Sequence, residues 1–369
     1  MRAVALKNEI DTAAMSARLT EWLPGALGVG QVEVTNLHVP SANGMSSETV
    51  LVDARCDGED RGLVLRVAPA KGGLFRDYDL TREARVMTAV AEGSDAPVPR
   101  ILAHESTGSV LGSEFLVMQR VYGEVPSDDP PYGAGGWVVD LTPEQQATMY
   151  DDVLRALTEV HKVDPLAAGL GDLRRPELGD TVIAQEFEYW RGFYLWAAGD
   201  RLVPTIDRAF EMIAETMPVD DDPLTVSWGD SRLGNLMFGP DQRITGMFDW
   251  EMATLGRPEN DLGFLLFTDR MFTIGLGMPR PAGFPTREHA IARYQELSGY
   301  QVRDLEWFER FAALRGAIML LRVGNKLVEL GFLPPDATMP FVNPAINGLA
   351  GQLELPPPVG DVGWIAGRS

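Results

Sequence analysis

The sequence predicts an α+β fold on a chain large enough for two lobes, and three observations carry that prediction. Apolar runs of strand length gather in the first third of the chain, around Val50-Leu51-Val52, Leu63-Val64-Leu65 and Phe115-Leu116-Val117-Met118. Helical spacing of apolar residues takes over beyond Thr142. The 369 residues, 45% of them hydrophobic, suffice for a substantial core.

Taken in order, Gly25 to Gly30 follows a helical stretch and reads as a turn before the first strand, without the strand-turn-helix context of a dinucleotide site. Ser41 to Thr49 is a small-residue segment ahead of Val50. Gly62 to Pro69 reads as a strand with a single cation, Arg66, inside an apolar run, a placement that calls for a partner. In the helix expected over Tyr78 to Val90, Leu80, Met87 and Val90 share a face with Glu83, which turns that carboxylate towards the sheet. Ser113 to Gly123 reads as a buried strand ending at glycine, followed by the irregular stretch Pro126 to Gly136. Thr142-Pro143-Glu144-Gln145 combines a cap, a first-turn proline and a capping-box glutamine, opening a helix that ends near His161. Aromatic residues between Ile183 and Leu202 suggest helices of a substrate subdomain. Leu305 to Leu330 reads as one or two long helices, and Leu355 to Pro358 as an extended tail.

The chemistry concentrates in Ser227-Trp228-Gly229-Asp230-Ser231-Arg232-Leu233-Gly234-Asn235 and in Asp249, fourteen residues beyond the asparagine. Asn235 to Phe238 reads as a strand, residues 239 to 243 as a turn and Ile244 to Trp250 as a returning strand, which places Asn235 roughly opposite Asp249. Phosphoryl transfer needs a carboxylate beside the attacking hydroxyl and oxygen ligands that hold Mg²⁺ against nucleotide phosphates. Asp230 suits the first task, Asn235 and Asp249 the second, and Arg232 could offset charge on the transferred group.

These residues resemble the His-Gly-Asp-x-x-x-Gly-Asn…Asp-Trp-Glu pattern of the aminoglycoside phosphotransferase/choline kinase family. The resemblance implies a two-lobed protein-kinase-like fold, with a small antiparallel-sheet lobe over 1–121 and a larger, mainly helical lobe over 122–369. It implies transfer of the γ-phosphoryl group of ATP or GTP to a hydroxyl of a small molecule, with Mg²⁺. Ser46 and Ser47 would then lie in the phosphate-covering loop. Arg66 would clamp the phosphates where kinases use lysine, with Glu83 as its ion-pair partner, and main-chain groups from Gln119 to Val121 would meet the adenine. Asp261 would brace the catalytic loop, and His161 would pack beside it. Trp228 stands where the family usually has histidine, and with Arg66 it favours the alternative of a catalytically inactive nucleotide- or ligand-binding protein. A scaffold that needs no nucleotide is a third reading.

Composition narrows the classes. Lys and Arg number 32 against 53 Asp and Glu, a net charge of −21, which argues against nucleic acid or anionic membranes as main partners. The one cysteine, Cys56, rules out an intramolecular disulfide and fits a cytoplasmic protein, as does the charged, short start at Met1 to Glu9. His38, His104, His161 and His289 are dispersed, so no zinc spacing appears. The acceptor and the oligomeric state stay open.

Overall fold

The computed structural model describes residues 11–40, 47–69, 73–76 and 78–360. They fall into two compact units: the first within Met1–Glu92 and Val98–Tyr122, the second Gly93–Pro97 and from Gly123 onward.

The first unit is a five-stranded antiparallel sheet with two helices. Its elements are α1 (Thr12–Leu27), β1 (Val32–His38), β2 (Glu48–Cys56), β3 (Glu59–Val67), α2 (Leu80–Gly93), β4 (Ile101–Glu105) and β5 (Phe115–Gln119), with sheet order β1-β2-β3-β5-β4. Asp11 caps α1 by accepting from the Ala14 N–H at 3.0 Å, and Gly28 ends the helix in the left-handed region. Strands β2 and β3 meet through Asp57-Gly58, both at positive φ, the two-residue turn whose twist matches a hairpin. Alternation then sorts the side chains. Val50, Val52, Leu63, Leu65 and Val67 join Leu19 and Leu23 of α1 in one core, which leaves Arg66 on the opposite face. There its guanidinium meets Glu83 of α2 at 2.9 Å, the pairing expected from the helix face, and Glu83 is buried. The strand expected over Ser113 to Gly123 is shorter, Phe115–Gln119, although the Arg120 N–H still donates to the Gly62 carbonyl at 3.1 Å in the register of the β3 pairing.

The second unit is mainly helical. It holds α3 (Pro143–His161), α4 (Val182–Ala198), α5 (Pro204–Glu215), β6 (Thr225–Ser227), β7 (Leu236–Phe238), β8 (Ile244–Met247), β9 (Thr254–Gly256), α6 (Glu259–Phe272), α7 (Arg287–Ser298), α8 (Leu305–Glu329) and α9 (Pro344–Gln352). The capping box of α3 is complete: Thr142 accepts from the Gln145 N–H and Gln145 from the Thr142 N–H. The aromatic stretch after Ile183 is the single helix α4. Its Phe187 meets Phe210 of α5 and Phe311 of α8 at ring distances of 5.3 and 5.8 Å, so that stripe is core. Leu305 to Glu329 is one helix, buried along most of its length.

The β7–β8 hairpin differs from the sequence expectation by one residue. The closing pair Phe238–Ile244 would set Asn235 opposite Met247; a bulge between Met237 and Phe238 moves the register one residue on, so the Asn235 carbonyl accepts from the Phe248 N–H at 2.9 Å and Asn235 lies opposite Phe248, one residue from Asp249. Asn235 itself belongs to a 3-10 turn, Leu233–Asn235, that precedes the strand. Among the described residues no helix is long and apolar enough to cross a membrane.

Candidate active site

The loop from Trp228 to Arg232 leaves β6 and is held by one carboxylate. Asp261, in the first turn of α6, is fully buried. Its Oδ1 accepts from the Gly229 N–H at 2.7 Å and from Ser227 Oγ at 3.0 Å. Its Oδ2 accepts from the Trp228 N–H at 2.7 Å and lies 3.0 Å from His161 Nε2. The other nitrogen of His161 meets the Tyr294 hydroxyl at 2.6 Å, so this histidine orients the brace and does not face the loop's reacting end. Burial alone would raise the Asp261 carboxyl, but the hydrogen bond from His161 and those from the loop outweigh it and hold it below its ordinary range.

Gly229 is required by two constraints at once. Its φ is +90°, and a Cβ there would lie 2.1 Å from the Met252 carbonyl oxygen. Gly229→Ala is therefore expected to cost about 3 kcal/mol or more, combining backbone strain with a backbone clash, as chemical denaturation would measure.

Trp228 stands where the pattern it resembles has histidine. The indole is buried, packs against Trp250 at a ring distance of 5.9 Å, and donates from Nε1 to the Phe248 carbonyl at 2.9 Å. Its one donor thus ties the loop Trp228 to Arg232 to the residue preceding Asp249. Trp228→Phe leaves that carbonyl without its partner and is expected to lower stability by about 1–3 kcal/mol, read from denaturant midpoints, and to lower turnover through displacement of Asp249.

Four of the sequence-selected residues come together here. Asn235 Nδ2 donates to Asp230 Oδ2 at 2.7 Å and to the Asp230 carbonyl at 3.0 Å. Arg232 Nε donates to the same Asp230 oxygen at 3.3 Å, while its Nη1 donates to Asp128 at 2.5 Å. Burial raises the Asp230 pKa; Arg232 pulls it back, and the nearby Asp249 charge raises it again. Burial works against the Arg232 charge, but Asp128 and Asp230 more than offset it, and the guanidinium stays protonated. Asp249 opens a 3-10 turn in a left-handed conformation, φ 61° and ψ 64°, a backbone state that costs energy for any residue but glycine and that aspartate tolerates better than most.

The donor set fits a hard divalent cation. Two carboxylates lie near each other, since the charge of Asp249 adds to the larger effect of burial in raising Asp230. Asn235, with its amide nitrogen on Asp230, has an Oδ1 that makes no hydrogen bond among the described residues. Oxygen ligands of this kind suit Mg²⁺.

The remaining sequence-selected residues belong to the first unit. Arg66 is held by Glu83 as described above. Ser47, just before β2, is buried, and Ser46 lies outside the described residues. The Gln119 N–H is engaged by the Arg100 carbonyl at 2.9 Å, which removes it as a donor to a ligand. The Val121 main chain makes no hydrogen bond among the described residues. Sequence reasoning passed over Asp128: no local pattern links it to Arg232, 104 residues away.

A profile described as the phosphotransferase enzyme family matches residues 39–311, well over half of the chain. The chain belongs to the phosphotransferase enzyme family. Solved structures described as phosphotransferases resemble it along most of its length. A Ralstonia eutropha protein described as a "putative aminoglycoside phosphotransferase" is 25% identical, with a TM-score of 0.69 over 93% of this chain and 98% of its own. The aminoglycoside phosphotransferase APH(4)-Ia, in a ternary complex with ADP and hygromycin B, is 18% identical, with a TM-score of 0.52 over 91% of this chain and 98% of its own, a likeness of fold alone. The fold is thus the two-lobed, kinase-like α+β fold of this family. Among curated proteins, the acyl-CoA dehydrogenase family member 11 of Rattus norvegicus is 25% identical over 96% of this chain but only 45% of its own length. This phosphotransferase-family chain spans about half the length of these curated relatives.

Proposed function

We propose that this chain transfers the γ-phosphoryl group of ATP or GTP to a hydroxyl of a small molecule. The observation that carries the proposal is the convergence of Asp230, Arg232, Asn235 and Asp249 on one loop and one hairpin, with Asp230 gripped from two sides at 2.7 and 3.3 Å. Asp230 accepts the proton of the attacking hydroxyl or orients it; a carboxyl raised by burial is a better base than a solvated one. Arg232, kept cationic by Asp128, offsets charge on the group in transit. Asn235 and Asp249 hold Mg²⁺, which when bound neutralises nucleotide phosphate charge. In the 1–121 lobe, Arg66 steadied by Glu83 binds phosphate, and Ser46, Ser47 and the main chain from Gln119 to Val121 serve the nucleotide, with the Val121 peptide groups as the adenine contact. Residues 122–369 supply the catalytic groups and the acceptor site.

The tie between Trp228 and Phe248 supports an active enzyme over a binding protein, because it links the loop that carries Asp230 to the turn that carries Asp249 without histidine. The acceptor is open among hydroxyl compounds. The name of the curated relatives adds one class to the test, hydroxylated acyl-CoA thioesters, beside aminoglycosides, macrolides and amino alcohols. The experiment incubates the protein with Mg²⁺ and ATP or GTP against that panel and reads phosphomonoester formation by mass spectrometry. A product from one class identifies the acceptor. Nucleotide binding without any product would favour the binding-protein reading.

A further inference from the structure

Arg315, in the middle of α8, is a fully buried cation that the proposed chemistry does not use. No carboxylate lies within ion-pair distance of it among the described residues, and its Nε has no hydrogen-bond partner. Aromatic faces surround it instead, with the guanidinium carbon 4.7 Å from the Phe264 ring centre and 5.3 Å from that of Trp190. Burial pushes its pKa down, so the site tolerates this charge at a cost. A buried cation kept under such conditions calls for a reason.

Its two remaining nitrogens supply one. Nη1 donates to Asn260 Oδ1 at 2.9 Å and Nη2 to the Gly229 carbonyl. Asn260 Nδ2 donates to Ser227 Oγ at 2.7 Å, Ser227 Oγ to Asp261 Oδ1 at 3.0 Å, and that same oxygen accepts the Gly229 N–H at 2.7 Å. The hydrogen bonds form a closed ring: Arg315, Asn260, Ser227, Asp261, Gly229 and back to Arg315. Gly229 is gripped at both of its peptide groups. Because the peptide unit is planar, fixing the Gly229 carbonyl also fixes the amide nitrogen of Asp230.

Resting on the phosphotransferase reading above, we propose that Arg315 is a positioning residue: it locks the Gly229–Asp230 peptide so that the Asp230 carboxylate is held in place for the acceptor hydroxyl. Asp261 fixes one side of Gly229, and Arg315 fixes the other. The arginine acts only through the loop, so its loss affects turnover and not nucleotide affinity.

The test compares the parent with Arg315→Lys and Arg315→Met. Lysine keeps the charge but lacks the planar fork that addresses the two acceptors through separate nitrogens; methionine donates to neither. Turnover is expected to fall by about 10- to 100-fold in Arg315→Met and by less in Arg315→Lys, with the Kd for Mg²⁺-nucleotide unchanged within about twofold. Hydrogen exchange at the Trp228 and Gly229 amides is expected to speed up by about tenfold or more in both variants relative to the parent. If Arg315→Met fails to fold, Ser227→Ala opens the opposite side of the ring with little change of volume and is expected to give the same pair of effects. Exchange unchanged in a folded variant, or turnover and nucleotide affinity falling together, would overturn the proposal. A parent that phosphorylates no acceptor would instead overturn the phosphotransferase reading, and the exchange measurement would still decide the role of Arg315.

Discussion

Asp230→Asn is expected to lower the turnover of phosphoryl transfer by about 10²- to 10⁴-fold, the range that a positioned proton acceptor supplies. The substitution keeps the shape of the side chain, and Arg232 retains Asp128 as its ion-pair partner. Binding of Mg²⁺-nucleotide should change far less than turnover, which separates loss of the base from loss of the site. Stability is expected to hold or to rise, because the parent buries the Asp230 charge near Asp249 and the raised pKa reports that cost. Steady-state kinetics with the identified acceptor, calorimetry and a thermal melt check the three parts. A kinetic loss shared with the melt would mean that the side chain is structural.

Asp249→Asn is expected to weaken Mg²⁺-dependent nucleotide binding by about 100-fold, equivalent to roughly 2.7 kcal/mol. Asparagine is the informative replacement. It accepts the left-handed backbone at φ 61° as readily as aspartate, so the turn into Trp250 survives and only the charge is removed. Nucleotide binding measured in chelator should be the same in parent and variant. If affinity in Mg²⁺ were also the same, Asp249 would not be a metal ligand.

What the sequence discloses and what it hides follow from the range of each signal. Arg66 and Glu83 could be paired in advance because strand alternation and helix periodicity each fix the face on which a side chain lies. The capping box at Thr142 and Gln145 was legible for a similar reason, since its partners are three residues apart. Asp230, Arg232 and Asn235 lie within six residues of one another, so the loop alone brings them together. The hairpin register came within one residue of the expectation, since neither the closing pair Phe238–Ile244 nor the bulge that offsets it by one residue is set by apolar alternation. The pairing of Asp128 with Arg232 and the ring through Arg315, Asn260 and Ser227 depend on helices and loops meeting across the second unit. Periodicity cannot announce such contacts. Trp228 is an intermediate case: its departure from the family pattern was plain, but that its N–H would reach the Phe248 carbonyl follows only from the hairpin's position.

The most direct measurement is phosphorus NMR of the parent and of Asp230→Asn, each with Mg²⁺, ATP or GTP and the acceptor panel. The account predicts that the parent consumes the γ-phosphate signal and builds a phosphomonoester resonance, while Asp230→Asn does neither on the same timescale. Equal rates of phosphomonoester formation in the two proteins would contradict it.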